Sequence, residues 1–258
     1  MKTPLDGLRG HTSTRTLGRA AWTLMAGDEA ESTNDLARGL PAWSAVMAGR
    51  QTGGRGRFGR RFVSDAGGLY LTAVLPAGGA PSRWSGFSLA AGHWLQLGLA
   101  RMGVASARLR WPNDLMVGQR KLGGLLIEQS PDERLWVGLG LNVTNEPWLD
   151  DPMLRGTACR LADFLFPVPA VEDLAVVVLD ALADAHDAFS RAGLGPVVEA
   201  LNAGWSRMPV ELETYETPLI TGIFAGLDPL GNVCLIDQNG EACTVPHAEI
   251  RQFREIFQ

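Results

Sequence analysis

The sequence predicts an α+β fold in two domains, on three observations. Strand-like and helical patterns are interleaved up to Trp205, which is typical of a mixed sheet with helices packed against it. After Trp205 only short strand-like segments follow, separated by turn signals at 228–231 and 238–240. The length of 258 residues suits one medium and one small domain. We therefore expect a larger domain over residues 1–205 and a small β-barrel domain over residues 206–258.

The first elements of the larger domain follow from local signals. Ser32 is expected to cap a short helix, because its side-chain oxygen can accept a free N–H of the first turn, and Asp35 lies near the positive end of that helix. The apolar run 45–49 predicts a buried strand. A second strand is expected over 69–75, and Pro76 ends it.

The later elements are predicted in the same way. Apolar residues at helical spacing predict a helix over 84–102. Strands over 121–128 and 135–143 are expected to be joined by a turn around Pro131 and Asp132. The remaining predicted elements are strands at 107–111, 209–213, 220–227, 233–236 and 242–245 and helices at 171–191 and 196–205.

Composition excludes several classes of protein. Apolar residues make up 46% and charged residues 20% of the chain, the balance of a soluble globular protein. The net charge of -5 argues against a general affinity for nucleic acid. No apolar stretch reaches the ~18 residues of a membrane span, and the first twenty residues lack a signal-peptide core. A cytoplasmic protein is the resulting expectation.

The metal-ligating residue types are too scattered to predict a protein-built metal site. The three cysteines contain no Cys-x-x-Cys pair, and their odd number argues against a disulfide framework. The four histidines form no metal-ligand pair and are expected to be structural or on the surface.

The segment 53–61 is the first candidate for chemistry. It holds four glycines and four arginines in nine residues. Glycine lets the backbone approach a ligand closely, and arginine offers paired donors to phosphate or carboxylate. One interpretation is a lid that orders over a bound anion. A solvated flexible loop or an RNA-binding tether is an equal alternative on this segment alone.

A second candidate joins an Arg-Trp-Pro-Asn-Asp turn at 110–114 to a strand that opens with Lys121. A lysine there can hold a partly buried, fixed positive charge. Taken alone, a hairpin whose edge lysine limits aggregation is the favoured alternative.

A third candidate is the strand 137–143, in which glycines alternate with apolar residues. That pattern weakens a strand, and it makes sense if some other group must pack closely on that face. Asn142 could then contact the edge of the ligand. The pattern alone is weak.

Together, these segments resemble the biotin–protein ligase family in order and spacing, over about residues 22–255. The matching motifs are Ser-Thr-Asn at 32–34, Gly-Arg-Gly-Arg-Phe-Gly-Arg at 54–60, Arg-Trp-Pro-Asn-Asp at 110–114, Lys-Leu-Gly-Gly at 121–124 and Gly-Leu-Gly-Leu-Asn at 138–142. Phe62 stands where the family pattern has a tryptophan.

The resemblance implies a mixed sheet with packed helices, similar to the core of class II aminoacyl-tRNA synthetases, followed by a Src-homology-3-like barrel. It implies a catalytic domain over 1–205 that forms biotinyl-5'-AMP from biotin and ATP, with Mg²⁺ bound to the ATP. The biotinyl group would pass to a lysine of the biotin carboxyl carrier domain of a carboxylase. Only about thirty residues precede Ser32, so the form without a DNA-binding domain is expected, as a monomer or homodimer.

The resemblance also assigns the site residues. Biotin contacts fall on Ser32, Thr33, Asn34, Gln51, Gly54, Arg55, Arg57, Lys121, Gly124 and Gly138. Contacts to ATP or the adenylate fall on Arg57, Arg60, Asn113, Lys121 and Asn142. Catalytic roles fall on Arg55, Arg57 and Lys121, because cations must offset the repulsion when a carboxylate attacks a phosphate. Asp114 would help to hold the carrier lysine or a nearby metal ion, or would only fix its turn.

Three alternatives stay open at this point. A lipoate or octanoate ligase or transferase shares the fold, but its pattern lacks the Gly/Arg segment. An RNA-binding protein would need aromatic residues interleaved with a basic stripe, which the single Arg-Gly cluster does not supply. A non-catalytic binder of biotinyl-AMP is disfavoured because Arg55 and Lys121 are both present.

Overall fold

The computed structural model describes residues 4–130, 133–216 and 219–256. The predicted turn around Pro131 and Asp132 lies outside these residues. The strands are β1 (Ser13–Leu17), β2 (Trp22–Gly27), β3 (Ser44–Ala48), β4 (Leu69–Pro76), β5 (Ala107–Arg110), β6 (Asp114–Val117), β7 (Arg120–Ser130), β8 (Arg134–Leu141), β9 (Met208–Thr214), β10 (Ile220–Leu227), β11 (Val233–Ile236), β12 (Ala242–Val245) and β13 (Ile250–Glu255). The α-helices are α1 (Thr33–Ala37), α2 (Phe87–Arg101), α3 (Val171–Ala192) and α4 (Gly195–Gly204).

An eight-stranded mixed sheet forms the core, in the order β1-β2-β3-β4-β8-β7-β6-β5. Strands β2 and β3 pair in parallel, and the other neighbours are antiparallel. Every residue of β3 is buried, as expected for a central strand that is covered on both faces. The predicted α+β fold with a mixed sheet is confirmed.

The two faces of this sheet differ in chemistry. Residues paired across antiparallel strands share a face, so Asp114, Gly124, Gly140 and Tyr70 lie in one row across β6, β7, β8 and β4. We call this the site face. The opposite face is apolar, and its leucine Leu139 lines a small cavity with side chains of α2 and α3.

Helix α1 packs on the site face over β3, β4 and β8, the middle strands of the sheet. Its Ala37 belongs to a buried apolar cluster with Val46 of β3, Val74 of β4 and Trp136 of β8. This packing fixes the first turn of α1 over the middle of the sheet. This apolar cluster therefore holds the polar residues 32–34 in place, although none of them belongs to it.

One predicted helix begins later than its apolar spacing indicates. A 3-10 turn covers Pro81–Trp84, and α2 starts only at Phe87. Gly86 separates the two with φ of 80°, a left-handed conformation that interrupts a right-handed helix. Strands β1, β2, β6 and β13 were not predicted.

The C-terminal strands form a separate antiparallel sheet in the order β12-β11-β10-β9-β13. Its closure into a barrel stays a prediction. By contacts, the chain divides into compact units of residues 1–187 and 188–258, so α4 groups with the C-terminal strands. The predicted domain boundary near Ser206 falls where α4 ends and the C-terminal strands begin. As a domain boundary it stays a prediction. None of the described helices is long and apolar enough to cross a membrane.

His186 of α3 makes the stability of the larger unit depend on pH. Its ring stacks on Trp84 at 5.1 Å between centroids, and its Nε2 lies 2.7 Å from the carbonyl oxygen of Pro76. Burial lowers the pKa of His186, and the contact with Pro76 offsets this only in part. Burial also lowers the pKa of His93. Both histidines therefore favour the neutral form in the folded protein.

We expect the free energy of unfolding to fall as the pH drops below about 6.5, where an unfolded histidine binds a proton that the folded protein resists. The substitution His186→Phe should flatten this dependence in urea titrations at several pH values. An identical pH dependence in His186→Phe and in the unsubstituted chain would contradict the assignment.

Candidate active site

A buried row of polar side chains begins at the first turn of α1. Ser32 is the N-cap, and its Oγ accepts from the N–H of Asp35. The backbone N and the Oγ1 of Thr33 both donate to Oε1 of Gln51, at 2.9 and 3.0 Å. The Nε2 of Gln51 in turn donates to Oγ of Ser64 at 3.1 Å. Buried polar groups are paired in this way to offset the cost of desolvation, and they offer both donors and acceptors to a small polar ligand.

Asn34 is fixed on both sides of its amide. Its Oδ1 lies 2.6 Å from Oγ1 of Thr72 on β4, and its Nδ2 donates to Oε2 of Glu128 on β7 at 3.0 Å. The other oxygen of Glu128 accepts from Arg38 at 2.9 Å. Asn34 therefore shapes the site by joining α1 to two strands.

Glycines form the floor of the site on β7 and β8. A Cβ atom at Gly138 would lie 2.2 Å from Oδ1 of Asn34, and one at Gly140 would lie 2.4 Å from the ring of Phe62. A Cβ atom at Gly124 would lie 3.1 Å from Nζ of Lys121. The alternation of glycines thus has the predicted purpose, because other groups approach the strand backbone closely.

Two cations share one carboxylate beside this floor. Nζ of Lys121 lies 2.6 Å from Oδ1 of Asp114, and Nη2 of Arg110 lies 2.6 Å from Oδ2 of the same residue. Burial by itself would raise the pKa of Asp114, but the charges of Lys121 and Arg110 outweigh it and hold this pKa below its usual value. The carboxylate is therefore ionised, and the ammonium of Lys121 is held in place. Because both oxygens already contact cations, this geometry favours an ammonium-holding role over a metal-binding one.

The Gly/Arg segment is folded into a short hairpin. The N–H of Phe62 donates to the carbonyl oxygen of Gly54 at 2.9 Å, and the N–H of Gly56 donates to that of Arg60 at 2.7 Å. A Cβ atom at Gly54 would lie 2.7 Å from the oxygen of Phe62, so glycine permits the close approach of the two arms. The hairpin gives the arginines a defined direction.

Carboxylates outside the hairpin hold both of its arms. Arg55 forms an ion pair of 2.6 Å with Asp35 on α1, and this hydrogen bond raises the pKa of Arg55 further above its ordinary value. Arg61 forms an ion pair with Asp150. Both pairs are partly exposed, so each contributes little to stability by itself. They do place the hairpin beside the first turn of α1.

The tip and the inner arm of the hairpin carry its aromatic rings. Phe58 is half-exposed, and the guanidinium of Arg57 lies 4.9 Å from the centre of its ring. Phe62 instead lies over the glycine floor, with Nζ of Lys121 5.8 Å from the centre of its ring and Tyr70 edge-to-face at 6.5 Å. The hairpin therefore already reaches the site through Phe62.

The two asparagines expected near ATP contact the backbone. The Nδ2 of Asn113 donates to the oxygen of Leu125 at 2.5 Å, across β6 and β7. The Nδ2 of Asn142 donates to the oxygen of Cys159 at 3.0 Å, and its Oδ1 accepts from Asn145 at 3.1 Å. A nucleotide that contacted these amides would have to share their nitrogen and oxygen atoms with the present partners.

The structure thus brings most of the expected residues together. Contacts join Thr33 to Gln51 on one side of the floor and Lys121 to Asp114 on the other. Sequence reasoning gave no contact in the site to four residues that complete it, namely Asp35, Thr72, Arg110 and Glu128. The alternation of side chains along a strand could have identified Thr72 and Glu128. Thr72 lies two residues from Tyr70, and Glu128 lies four residues from Gly124, so both share the site face. Within the described part of the chain, no group of three or more acidic, histidine or cysteine side chains could hold a metal ion.

Comparison with known proteins identifies the family. A family model described as the biotin/lipoate A/B protein ligase family matches residues 28–142. The biotin–[acetyl-CoA-carboxylase] ligase of Paracoccus denitrificans is 30% identical over 85% of this chain and 96% of its own length. The chain belongs to the biotin–protein ligase family.

Other members of the family agree in fold and differ in length. The biotin protein ligase from Aquifex aeolicus, solved in complex with biotin and ATP, matches with a TM-score of 0.79 and 24% identity over 90% of this chain and 99% of its own. At that identity the likeness shows the fold. The bifunctional ligase/repressor BirA of Escherichia coli is 28% identical over 78% of this chain, and the match spans 64% of its length.

Proposed function

We propose that this chain is an ATP-dependent biotin–protein ligase that forms biotinyl-5'-AMP and transfers the biotinyl group to a lysine of a biotin carboxyl carrier domain. The observation that carries the proposal is the position of Lys121. Its ammonium lies at the edge of a glycine floor, held by Asp114 and facing the arm of a hairpin that contains four arginines. That arrangement suits a ligand with a flat apolar body and a carboxylate that must react with a phosphate.

The polar row suits the other end of the same ligand. A cyclic urea presents N–H donors and a carbonyl acceptor in one plane, and buried Ser32 and Thr33 together with partly buried Gln51 offer both kinds of partner. Asn34 and Gly138 would shape that end, because the amide lies directly over the glycine. Gly54 and Gly124 would border the ligand from the hairpin and from β7.

In the first step, an oxygen of the biotin carboxylate attacks the α-phosphorus of ATP, and the bond to pyrophosphate breaks. Two anions meet, so Lys121, Arg55 and Arg57 would offset their repulsion and stabilise the charge of the transition state. Mg²⁺ would arrive on the ATP phosphates and help pyrophosphate to leave, since the described residues offer it no protein cage. Arg60, Asn113 and Asn142 would face the nucleotide.

In the second step, the lysine nitrogen of the carrier attacks the carbonyl carbon of biotinyl-AMP. An amide bond forms, and AMP leaves with the electrons of the anhydride bond. The mixed anhydride hydrolyses readily, so the hairpin at 53–63 would exclude water by closing over it. We propose a monomer or homodimer in the cytoplasm, and the acidic net charge of -5 argues against a nucleic-acid partner.

The test is transfer to a purified biotin carboxyl carrier domain, measured as a mass increase that requires both biotin and ATP. Lipoate and octanoate, each offered with ATP and with the matching lipoyl carrier domain, test the related activity of the same fold. We expect transfer with biotin alone. Transfer of lipoate or octanoate without any transfer of biotin would reject the proposal.

We further expect biotinyl-AMP to protect the hairpin from trypsin, which cuts after arginine. Ordering glycines costs roughly 1–2 kcal/mol per residue, and the present anchors of the arms are partly exposed ion pairs. An anionic adenylate gives the guanidinium groups stronger partners. Cleavage between Arg55 and Arg61 should slow by at least about tenfold with a saturating non-hydrolysable analogue, equivalent to ~1.4 kcal/mol of linked closure.

The substitution Asp35→Asn provides a matched comparison for this measurement. It removes the carboxylate that holds Arg55 while it keeps the size of the side chain. Cleavage of the ligand-free variant should be faster than that of the unsubstituted chain, and the analogue should still protect it. Equal cleavage with and without the analogue in both proteins would show that the hairpin does not act as a lid.

A further inference from the structure

Arg110 has a position that the proposed reaction has not yet used. Its strand β5 is the edge strand of the sheet, yet its guanidinium turns onto Oδ2 of Asp114 and is only 22% exposed. The neighbouring strand arginine, Arg108, donates instead to the backbone oxygen of Gly118. Arg110 therefore contacts the carboxylate that holds Lys121.

Lys121 and Arg110 each contact a different oxygen of the Asp114 carboxylate. Oδ1 of Asp114 contacts Lys121 from β7, and Oδ2 contacts Arg110 from β5. These are the charged groups that face Asp114 from the strands packed against it, since its neighbour Gly124 on β7 presents none. When Lys121 turns toward the carboxylate and phosphate of a ligand, Oδ1 is released, while Oδ2 is still held.

We propose that Arg110 is a positioning residue for the transfer step: it anchors Asp114 through Oδ2 so that Oδ1 can contact the lysine nitrogen of the carrier after Lys121 turns to the adenylate. The inference rests on the proposed function. Oδ2 of Asp114 keeps Arg110 as its partner throughout the reaction, while Oδ1 exchanges Lys121 for the lysine of the carrier.

The chemistry of transfer makes such an anchor useful. The neutral lysine nitrogen forms a C–N bond with the carbonyl carbon, the C–O bond to AMP breaks, and AMP takes that electron pair. The nitrogen gains positive charge before its surplus proton passes to the phosphate of the departing AMP. An ionised, fixed carboxylate beside the nitrogen stabilises that charge. Without Arg110, the partly buried Asp114 would tend to take up a proton once Lys121 has left it.

The experiment compares Arg110→Gln, Arg110→Lys and the control Arg108→Gln in two separate assays. Biotin-dependent exchange of pyrophosphate into ATP reports the first step. Single-turnover transfer from the purified enzyme–biotinyl-AMP complex to the carrier domain reports the second step, and it is measured from about pH 5 to pH 8. Thermal unfolding of each variant shows whether it folds.

For Arg110→Gln, we expect transfer to slow by about tenfold or more while pyrophosphate exchange stays within about threefold. The acidic limb of the transfer profile should move up by about one pH unit or more, because the substitution removes the cation that still faces Asp114 after Lys121 has turned to the adenylate. Arg110→Lys should keep the charge and the unsubstituted profile, and it remains a test if Arg110→Gln does not fold. Arg108→Gln should behave as the unsubstituted chain.

Three outcomes would overturn the inference. They are an unshifted profile in Arg110→Gln, an equal loss in both steps, and a shifted profile in Arg110→Lys. Failure of the proposed function looks different, because the unsubstituted chain itself would then show neither exchange nor transfer.

Discussion

Replacing Lys121 with alanine is expected to lower the rate of biotin-dependent pyrophosphate exchange by on the order of 10²-fold or more, the scale of removing a charge that stabilises a transition state. The ammonium of Lys121 is held at 2.6 Å from Asp114 at the edge of the glycine floor, so it has only to turn from this carboxylate to a bound ligand. The substitution removes this charge from the site.

The adjacent residue supplies the control for this substitution. Arg120 is also cationic and lies at the start of β7, but its guanidinium is 3.7 Å from Asp163 and packs over Phe164. Arg120→Ala should keep exchange within about threefold, since it changes the net charge equally without touching the site. Similar losses in both variants would indicate a general electrostatic effect, and near-normal exchange in Lys121→Ala would remove this lysine from the mechanism.

The local part of the site was accessible from the sequence. Ser32 is the N-cap of α1, as predicted, because capping depends on neighbours three residues apart along the chain. The long helix predicted over 171–191 is α3, since its apolar spacing leaves one face to bury. The glycines of β8 were also correctly connected with close packing.

Contacts between distant segments were not accessible. Glu128 joins Asn34 and Arg38 across about ninety residues, and Asp150 joins Arg61 across a similar distance. A carboxylate near the end of a strand gives no sign of its partner until the sheet order is known. The ion pairs that hold both arms of the hairpin therefore appear only in the structure.

Asn142 shows how a strand pattern can extend too far. Its parity matches Gly138 and Gly140, so the sequence predicts that it faces the ligand. Strand β8 ends at Leu141, and the amide of Asn142 donates to the backbone of Cys159. That carbonyl belongs to a segment that pairs with Lys121 through the N–H of Cys159 and the oxygen of Lys121, at 2.9 Å. The geometry is equally consistent with two roles for Asn142: positioning Lys121 through this segment, and contacting adenine.

Gly138→Val is expected to raise the KM for biotin by about 10²-fold or more. The first added carbon alone would lie 2.2 Å from Oδ1 of Asn34 and 3.1 Å from its Cγ. Asn34 is buried and its amide is held by Thr72 and Glu128, so it cannot move aside without breaking these hydrogen bonds. The amide or the first turn of α1 must therefore shift, and a displacement of about 1 Å in a positioning group can cost 10²-fold in activity.

A double substitution separates this clash from a general loss of stability. Asn34→Ala removes the amide that meets the new side chain, so Asn34→Ala with Gly138→Ala should fold at least as well as Gly138→Ala alone, and their effects on KM should not add. Gly39→Ala is the control, because a Cβ atom there meets nothing within 4 Å. It should leave KM within about twofold, since exposed substitutions without contacts change little. Additive effects of the two substitutions, or an unchanged KM in Gly138→Val, would show that the floor and the first turn of α1 do not form one binding surface.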